Sequence, residues 1–202
     1  DDPNSGGRQM PQHFGCKELN IVSQSSPTGT QYLQATGAAF ALQRDKNNAV
    51  VYVSSGEGTT SQGDFHEALN WASRKKAPVI FHIENNGYAI SVPIEDQTSG
   101  ASIYKISAGY ENLDRIEVDG TDYFESLLAF NKAVDRARKG HGPTVIESIV
   151  VRLLPHSSSD DHRKYRSEEE LKKDEKNDPI LKFRDLCIDE KIITEKEFAK
   201  LE

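Results

Sequence analysis

The fold is decided by two stretches, VVYVSSGEG at residues 50–58 and VIFHIENNGY at residues 79–88. Each begins with the β-branched and aromatic residues typical of a buried strand and ends in glycine and polar residues. A helical pattern at residues 62–74 separates the two stretches. A strand, a helix and a second strand in this order predict two parallel strands joined by a right-handed crossover.

Helix-like and strand-like patterns alternate from residue 30 to residue 151. We predict strands at residues 49–54, 78–84, 115–118 and 144–151, and helices at residues 30–44, 62–74, 102–108 and 122–139. This alternation predicts an α/β fold, in which a parallel sheet carries helices on both faces. The β-branched strand at residues 144–151 is expected to be buried on both of its own faces.

The helix predicted at residues 122–139 carries apolar side chains at helical spacing, and Gly140 and Gly142 are expected to end it. An apolar stripe of this kind covers one face of a sheet. We expect the helix to bury Phe124, Leu127, Leu128, Val134 and Ala137.

The two ends of the chain differ in character from this α/β domain, which we place at residues 25–152. Residues 1–24 are expected to form an extended N-terminal arm, and the polar residues 153–166 an exposed loop. Residues 167–202 are predicted to be a helical C-terminal appendage with helices near 167–176, 179–190 and 194–202. Ser167 followed by Glu170 predicts a capping box at the first of these helices.

Composition excludes several classes of protein. The 202 residues include 25 Lys and Arg against 32 Asp and Glu, a net charge of −7, which argues against nucleic acid as a partner. No uninterrupted apolar run approaches the roughly 20 residues that cross a membrane. The two cysteines, Cys16 and Cys187, are far apart and are read as free thiols. The chain begins at Asp1 without an initiator Met or an apolar signal segment, so we expect it to belong to a longer polypeptide.

Candidate ligand-binding residues follow the first two strands. Because the carboxyl ends of neighbouring parallel strands lie at one edge of the sheet, Glu57 and Asn86 are expected to face each other. Gly56 and Gly58 would let the backbone approach a ligand. A carboxylate, an amide oxygen and a backbone carbonyl form a partial shell that Mg²⁺ accepts when a substrate phosphate completes it. The spacing alone equally allows two turns that only connect strands.

These residues and several other segments resemble a known family. Gly56-Glu57-Gly58 followed by Asn85-Asn86 is similar to the thiamine diphosphate and magnesium motif, with Glu where many such enzymes have Asp. Over nearly its whole length the chain resembles the alpha subunits of branched-chain 2-oxo acid dehydrogenases, which belong to the thiamine diphosphate-dependent 2-oxo acid dehydrogenase family. The segments that carry this resemblance are GRQMP at 7–11, SSPTGTQ at 25–31, NNGYAIS at 85–91, HSSSDD at 156–161 and YRS at 165–167.

The resemblance implies the thiamine diphosphate-binding fold and a set of binding residues. Mg²⁺ would be held by Glu57, Asn86 and the backbone carbonyl of Tyr88. The residues implied to contact thiamine diphosphate are Gly56, Gly58 and Thr59 at the diphosphate, and Ser26 and the backbone of Thr28 at the aminopyrimidine. A structural potassium ion is implied at Ser25, Pro27, Thr30 and Gln31.

The polar loop after residue 152 contains a further implied site. By resemblance His156 is the active-site histidine, whose imidazole would donate to the diphosphate or to charge on the reacting carbonyl. Without the resemblance His156 would be read as a surface histidine, as we read His162. The residues implied to order this loop are Arg152, Asp160, Tyr165 and Arg166, whose alternative interpretation is a solvated charged surface. Ser157 and Ser167 match serines that a kinase phosphorylates in mitochondrial members.

Departures from the family pattern limit what this chain is expected to do alone. Glu84 stands where animal relatives carry Arg, which removes one diphosphate contact and is similar to bacterial members. The family's Gln-Tyr-Arg segment, which binds the diphosphate, is missing, and the glutamate that activates the aminopyrimidine belongs to the beta subunit. The isolated chain is therefore expected to have little or no catalytic activity.

The implied reaction is the oxidative decarboxylation of branched-chain 2-oxo acids, with transfer of the acyl group to a lipoyl-bearing acyltransferase. The implied partner is a beta subunit or a fused beta half, in the cytoplasm of a bacterium or in the mitochondrial matrix of a eukaryote. A pyruvate or acetoin dehydrogenase alpha subunit is the nearest alternative. Asp160-Asp161 and Ser25-Ser26-Pro27 favour the branched-chain type. A non-catalytic scaffold domain of the same fold is an alternative of another class.

Overall fold

A four-stranded parallel sheet organises the chain in a computed structural model, which describes residues 5–10 and 13–201. The strands are β1 (Val51–Gly56), β2 (Val79–Asn85), β3 (Tyr88–Ala89), β4 (Val92–Pro93), β5 (Asp114–Asp119) and β6 (Thr144–Ile149). The order in the large sheet is β1-β2-β6-β5, and all of its neighbours are parallel. The short strands β3 and β4 form a separate antiparallel pair.

Eight α-helices accompany the strands in the described ranges: α1 (Gln31–Arg44), α2 (Gly63–Lys75), α3 (Ile94–Gln97), α4 (Ile103–Ile106), α5 (Tyr123–Arg138), α6 (Glu168–Lys176), α7 (Pro179–Asp189) and α8 (Glu195–Phe198). Short 3-10 turns lie at Glu57–Ser61, Ser99–Ala101 and His162–Lys164. The helix predicted at residues 194–202 is shorter than expected, because α8 ends at Phe198. No helix in the described residues has the length and apolar character needed to cross a membrane.

The sheet is covered on both faces, as predicted. Tyr32 of α1 and Phe65 of α2 pack with Phe81 of β2 on one face. On the other face Ala133 of α5 packs with residues of β2 and β6. Neighbouring side chains of a strand point to opposite faces, so Phe81 and Ile80 join different cores. The strand β6 is buried from Thr144 to Ser148, which agrees with the predicted burial of both faces.

The predicted buried face of α5 is wrong in its first half. Phe124 is 50 % exposed, Leu127 41 % and Leu128 69 %. In the second half the prediction is confirmed, because Ala137 is buried and Val134 packs partly buried, and Ala129 and Ala133 complete the buried alanine stripe. Small side chains at every fourth position let the helix approach the sheet closely, so the larger apolar residues of the neighbouring stripe are left at the surface.

The start of α6 has only half of the capping box predicted at Ser167 and Glu170. The Ser167 hydroxyl accepts a hydrogen bond from the Glu170 backbone N–H at 3.2 Å, which is half of the box. The Glu170 carboxylate does not return to Ser167 but accepts from the Tyr88 hydroxyl at 3.2 Å and from Arg166 at 2.7 Å. A complete capping box is present at Thr194 and Glu197. The N-terminal arm is described only from residue 5, and residues 1–4 and 11–12 of it lie outside the described residues.

Candidate functional site

The pairing of β1 with β2 brings the two predicted strand ends together. Gly56 is in register with Glu84, so Glu57 begins the next turn beside Asn86. The Glu57 side chain is buried, at 1 % exposure, and its Oε2 accepts a hydrogen bond from the Asn86 backbone N–H at 3.2 Å. Its Oε1 is buried without a hydrogen-bond partner among the described residues. A buried carboxylate oxygen without a partner is costly, and a bound cation would compensate it.

The electrostatics of Glu57 agree with a cation site. Burial raises the pKa of Glu57, and hydrogen bonds from the Asn86 and Tyr88 backbone together with the charge of Arg152 offset this only in part. The described residues contain no cluster of three or more His, Cys, Asp or Glu that could hold a metal. A metal at Glu57 would therefore take its other ligands from amide, carbonyl and substrate oxygens, which is a shell that suits Mg²⁺.

The turn at residues 85–88 is shaped by its own side chains. Gly87 has a φ of +84°, a left-handed conformation that favours glycine. The Asn85 side-chain oxygen accepts from the Gly87 N–H at 2.9 Å, and the Asn86 side-chain oxygen accepts from the Tyr88 N–H at 3.2 Å. These bonds fix the backbone that carries Asn86 and Tyr88 beside the buried carboxylate of Glu57.

The glycines of the Gly-Glu-Gly motif differ in what they approach. A Cβ at Gly58 would lie 2.8 Å from the Cβ of Ala89, so this glycine is needed for packing against β3. A Cβ at Gly56 would meet only the carbonyl of Glu84, at 3.9 Å, and Gly56 is exposed. The space beside Gly56 is open to a ligand, whereas packing alone explains Gly58.

Gln97 is a residue of this region that the sequence patterns missed. Its side-chain amide donates to the Glu57 backbone carbonyl at 3.1 Å and to the Ser61 hydroxyl at 3.0 Å. These contacts join α3 to the turn that carries Glu57. They span about 40 residues of sequence, and no local motif identifies such a contact.

The loop at residues 25–31 packs against the same turn. Gly29 has a φ of +97°, and a Cβ there would lie 2.8 Å from the Cβ of Gln62 and 3.9 Å from the methyl group of Thr59. A hydrogen bond between the hydroxyls of Tyr32 and Ser55 joins the start of α1 to the end of β1. The residues predicted to contact the aminopyrimidine, Ser26 and Thr28, are exposed on this loop, and their role stays a prediction.

Several oxygens of the predicted potassium site are brought into one turn. The Thr30 hydroxyl donates to the Pro27 carbonyl at 2.9 Å, and the Gln31 side-chain oxygen accepts from the Gly29 N–H at 3.0 Å. Ser25 lies partly buried at the start of this turn. The turn is thus closed by its own hydrogen bonds, and potassium binding stays a prediction.

The residues predicted to order the polar loop contact one another. Arg152 donates to the Tyr165 hydroxyl at 2.8 Å, and this hydroxyl donates to Asp160 at 2.6 Å. Asp160 also accepts from the His156 backbone N–H at 2.9 Å, and these bonds lower the pKa of Asp160. Arg166 donates to the Arg152 carbonyl at 2.9 Å. Arg166 is 5 % exposed, so the exposed-loop prediction is wrong at this position.

Arg152 links this loop to the buried carboxylate. Its guanidinium carbon lies 5.5 Å from the centre of the Tyr88 ring, and its charge offsets part of the rise that burial causes in the pKa of Glu57. Two of its nitrogens, Nε and Nη1, are buried without a hydrogen-bond partner among the described residues. Unpaired cationic donors and an unpaired carboxylate oxygen therefore occupy one region without forming an ion pair. This arrangement suits a ligand that is itself an anion paired with a metal ion.

The two loop histidines are placed differently. His156 is exposed, and its backbone N–H donates to the Asp160 carboxylate. The imidazole is left available to a ligand. His162, read from the sequence as a surface histidine, is partly buried, and its Nδ1 is buried without a hydrogen-bond partner among the described residues.

A third histidine, His82 of β2, lies on the face of the sheet that α5 covers. The sequence patterns did not identify it. One ring nitrogen is 2.9 Å from the Tyr52 hydroxyl and the other is 2.9 Å from the Ser148 hydroxyl. Phe130 packs edge-on against the ring at 5.0 Å. Burial lowers the pKa of His82 from 6.5 to about 4, so the folded protein holds this imidazole neutral.

We expect the neutral His82 to make the fold sensitive to acid. Because its pKa is lower in the folded state, its stabilising contribution is complete above pH 6.5 and is lost as the pH falls toward about 4. With partial solvent screening the loss is about 1 to 2 kcal/mol. The His82→Gln variant keeps hydrogen-bonding groups but does not titrate, so its free energy of unfolding should fall less between about pH 7 and about pH 5. Equal falls in both proteins, measured by urea unfolding, would contradict this assignment.

The fold and the candidate site together define a class of protein, the parallel α/β proteins with a candidate ligand site at the carboxyl edge of the sheet. A solved structure from Mycobacterium smegmatis, assigned to the thiamin diphosphate-dependent enzymes, matches with a TM-score of 0.50 at 23 % identity over 65 % of this chain and 24 % of that chain. At this level of identity the match supports the fold.

The chain belongs to the family described as Dehydrogenase E1 component, whose model matches residues 1–202. It is 48 % identical over 183 residues to the 2-oxoisovalerate dehydrogenase subunit alpha of Bacillus subtilis, covering 91 % of this chain and 55 % of that protein. The human mitochondrial 2-oxoisovalerate dehydrogenase subunit alpha is 44 % identical, over 88 % of this chain and 40 % of that protein. The chain therefore spans about half the length of these relatives or less.

Proposed function

We propose that this chain is part of the alpha subunit of a thiamine diphosphate-dependent dehydrogenase that decarboxylates branched-chain 2-oxo acids and transfers the acyl group to a lipoyl carrier. The observation that carries the proposal is the buried Oε1 of Glu57, which lacks a partner beside the turn of Asn86 and Tyr88. Relatives named for 2-oxoisovalerate, at 42 % to 48 % identity, supply the substrate class.

In this proposal Glu57, Asn86 and the carbonyl of Tyr88 would hold Mg²⁺, and diphosphate oxygens would complete its shell. The residues that would hold the diphosphate are Gly56, Gly58 and Thr59, and those that would contact the aminopyrimidine are Ser26 and Thr28. Potassium at Ser25, Pro27, Thr30 and Gln31 would reinforce a turn that already has its own hydrogen bonds. When bound, thiamine diphosphate supplies the electron-accepting ring that makes loss of carbon dioxide possible.

The protein groups around the site have distinct proposed roles. The Nε and Nη1 of Arg152 are free to donate to a diphosphate oxygen. His156 presents its imidazole from the loop that Asp160 and Tyr165 hold, and it is the proposed catalytic residue. Glu84, at the exposed end of β2, contributes no cation to the diphosphate.

The proposal includes partners, because the relatives are named as alpha subunits. A beta subunit or a fused beta half would complete the active site, and a lipoyl-bearing acyltransferase would accept the acyl group. The compartment would be the bacterial cytoplasm, or the mitochondrial matrix in a eukaryote; both bacterial and mitochondrial relatives are known.

The substrate is tested by reconstituting the full-length alpha subunit with its beta partner and comparing kcat/KM for 3-methyl-2-oxobutanoate, pyruvate and acetoin. We expect 3-methyl-2-oxobutanoate to be preferred over pyruvate by a factor of about ten or more, the range that a few methylene groups provide in an apolar pocket. Preference for pyruvate or acetoin would contradict the substrate class. Calorimetry with thiamine diphosphate and Mg²⁺ tests the cofactor separately, and an absence of binding heat would favour a scaffold domain.

A further inference from the structure

Glu147 is a buried charged group without a role in the proposed function. It lies in β6 and has an exposure of 0 %. Its carboxylate accepts hydrogen bonds from the Asn85 side-chain amide at 2.7 Å and the Ser102 hydroxyl at 3.0 Å. It also accepts from the backbone N–H groups of Ile103 at 3.1 Å and Tyr104 at 2.7 Å. A fully buried carboxylate needs donors of this number, and they come from two separate segments.

Asn85 connects Glu147 to the turn of the candidate site. It ends β2, and its exposure is 7 %. A carboxylate only accepts hydrogen bonds, so the amide nitrogen of Asn85 has to face Glu147. The side-chain oxygen of Asn85 is then directed to the N–H of Gly87, which it binds at 2.9 Å. Gly87 is the left-handed residue between the two proposed magnesium ligands, Asn86 and Tyr88.

We infer that Glu147 is a positioning residue for the turn at residues 85–88. It fixes the orientation of the Asn85 amide, and this amide holds Gly87 so that the Asn86 N–H meets Glu57 at 3.2 Å. The consequence for Mg²⁺ rests on the proposed function. The positioning itself is a property of the chain without ligand, so the two are tested separately.

The Asn85→Asp variant of the full-length protein isolates this contact. It keeps the oxygen that binds the Gly87 N–H and puts a carboxylate oxygen opposite Glu147 in place of the donor. We expect hydrogen exchange of the amides at residues 86–88 to accelerate by about tenfold or more. Ser102→Ala, the control, removes the hydroxyl that donates to Glu147 and accepts from the Lys105 N–H at the start of α4, and it should change exchange at residues 86–88 by less than about twofold.

A charge swap distinguishes positioning from general loss of packing. In the double variant Asn85→Asp/Glu147→Gln an amide at position 147 donates to the carboxylate at position 85 but no longer accepts from the Ile103 N–H, so exchange at residues 86–88 should slow part of the way toward the wild-type rate. Unchanged exchange in Asn85→Asp, or a double variant that exchanges as fast as Asn85→Asp, would overturn the inference. If Asn85→Asp does not fold, Asn85→Ala removes both hydrogen bonds of the amide, and unchanged exchange at residues 86–88 in that variant would likewise overturn the inference.

The consequence for Mg²⁺ binding is tested by titrating Mg²⁺ at saturating thiamine diphosphate. Asn85→Asp should raise the Kd for Mg²⁺ by about tenfold, the effect typical of residues that orient metal ligands, whereas Ser102→Ala should not. Faster exchange at residues 86–88 with an unchanged Kd would overturn the role of Glu147 toward the metal ligands. If the wild-type assembly binds neither thiamine diphosphate nor Mg²⁺, the proposed function fails and the exchange measurements alone decide the inference.

Discussion

The Glu57→Gln variant is expected to lose Mg²⁺-dependent binding of thiamine diphosphate and, without ligand, to become more stable than the wild type. The wild-type carboxylate is buried, its Oε1 has no partner among the described residues, and its pKa is raised by burial. Its charge therefore destabilises the ligand-free fold at neutral pH. A neutral amide of the same shape removes that cost, so the free energy of unfolding should rise by about 1 kcal/mol. The same amide carries no negative charge to pair with Mg²⁺, and the affinity for Mg²⁺ should fall at least about 100-fold.

Two measurements and one control separate this outcome from general damage to the fold. Urea unfolding of the ligand-free protein gives the stability, and calorimetry of the assembled protein gives the Kd for Mg²⁺ and thiamine diphosphate. Glu67→Gln removes an exposed carboxylate from α2 and should change neither quantity. A Glu57→Gln variant that is less stable and still binds Mg²⁺ would mean that Glu57 has a structural role only.

The juxtaposition of Glu57 and Asn86 follows from two rules that need only local sequence. Periodicity identifies the strands, and the handedness of the crossover places their carboxyl ends at one edge. The structure agrees, since Gly56 and Glu84 are in register and the Glu57 carboxylate accepts from Asn86. The family resemblance added residues such as Arg152 and Tyr165, which no local rule singles out.

Contacts between distant segments could not be predicted in this way. Gln97 reaches Glu57 across 40 residues of sequence, and Glu147 reaches Asn85 across 62. Periodicity predicts that a side chain is buried but does not say which distant group it meets. Glu147 also interrupts a β-branched strand, where sequence patterns favour an apolar residue and only the donors of other segments explain a charge.

The buried face of α5 shows a different limit. Hydrophobicity ranks Phe124 and Leu128 above alanine, so the pattern selected the stripe with the larger side chains. Ala129 and Ala133 are buried because small residues allow a close approach between helix and sheet. Which stripe of α5 is buried depends on the distance between the helix and the sheet, and the sequence of the helix alone does not give that distance. The burial of Arg166 has a similar origin, because its partners lie on a helix that follows the loop.

Arg166→Ala is expected to be the most destabilising single change in the C-terminal part of the chain. The Arg166 side chain is 1 % exposed and donates to Glu170 and Asp174 of α6 and to the Arg152 carbonyl. Its removal leaves two carboxylates on one face of α6 without a cation. Breaking a buried ion pair costs about 3 to 5 kcal/mol, and here about 2 to 3 kcal/mol because both carboxylates keep some contact with water.

The matched control is Arg163→Ala, which removes an exposed arginine of the same loop and its ion pair with Asp161. An exposed pair contributes less than about 1 kcal/mol, so this variant should unfold in urea almost as the wild type does. Arg166→Lys keeps the positive charge but cannot donate to Glu170, Asp174 and the Arg152 carbonyl at once. Its stability should lie between those of Arg166→Ala and Arg163→Ala. Because Arg166 also holds the Arg152 carbonyl, Arg166→Ala should make residues 153–166 more sensitive to protease than Arg163→Ala does. Equal stability and equal proteolysis of the two alanine variants would show that the buried arginine does not anchor the loop.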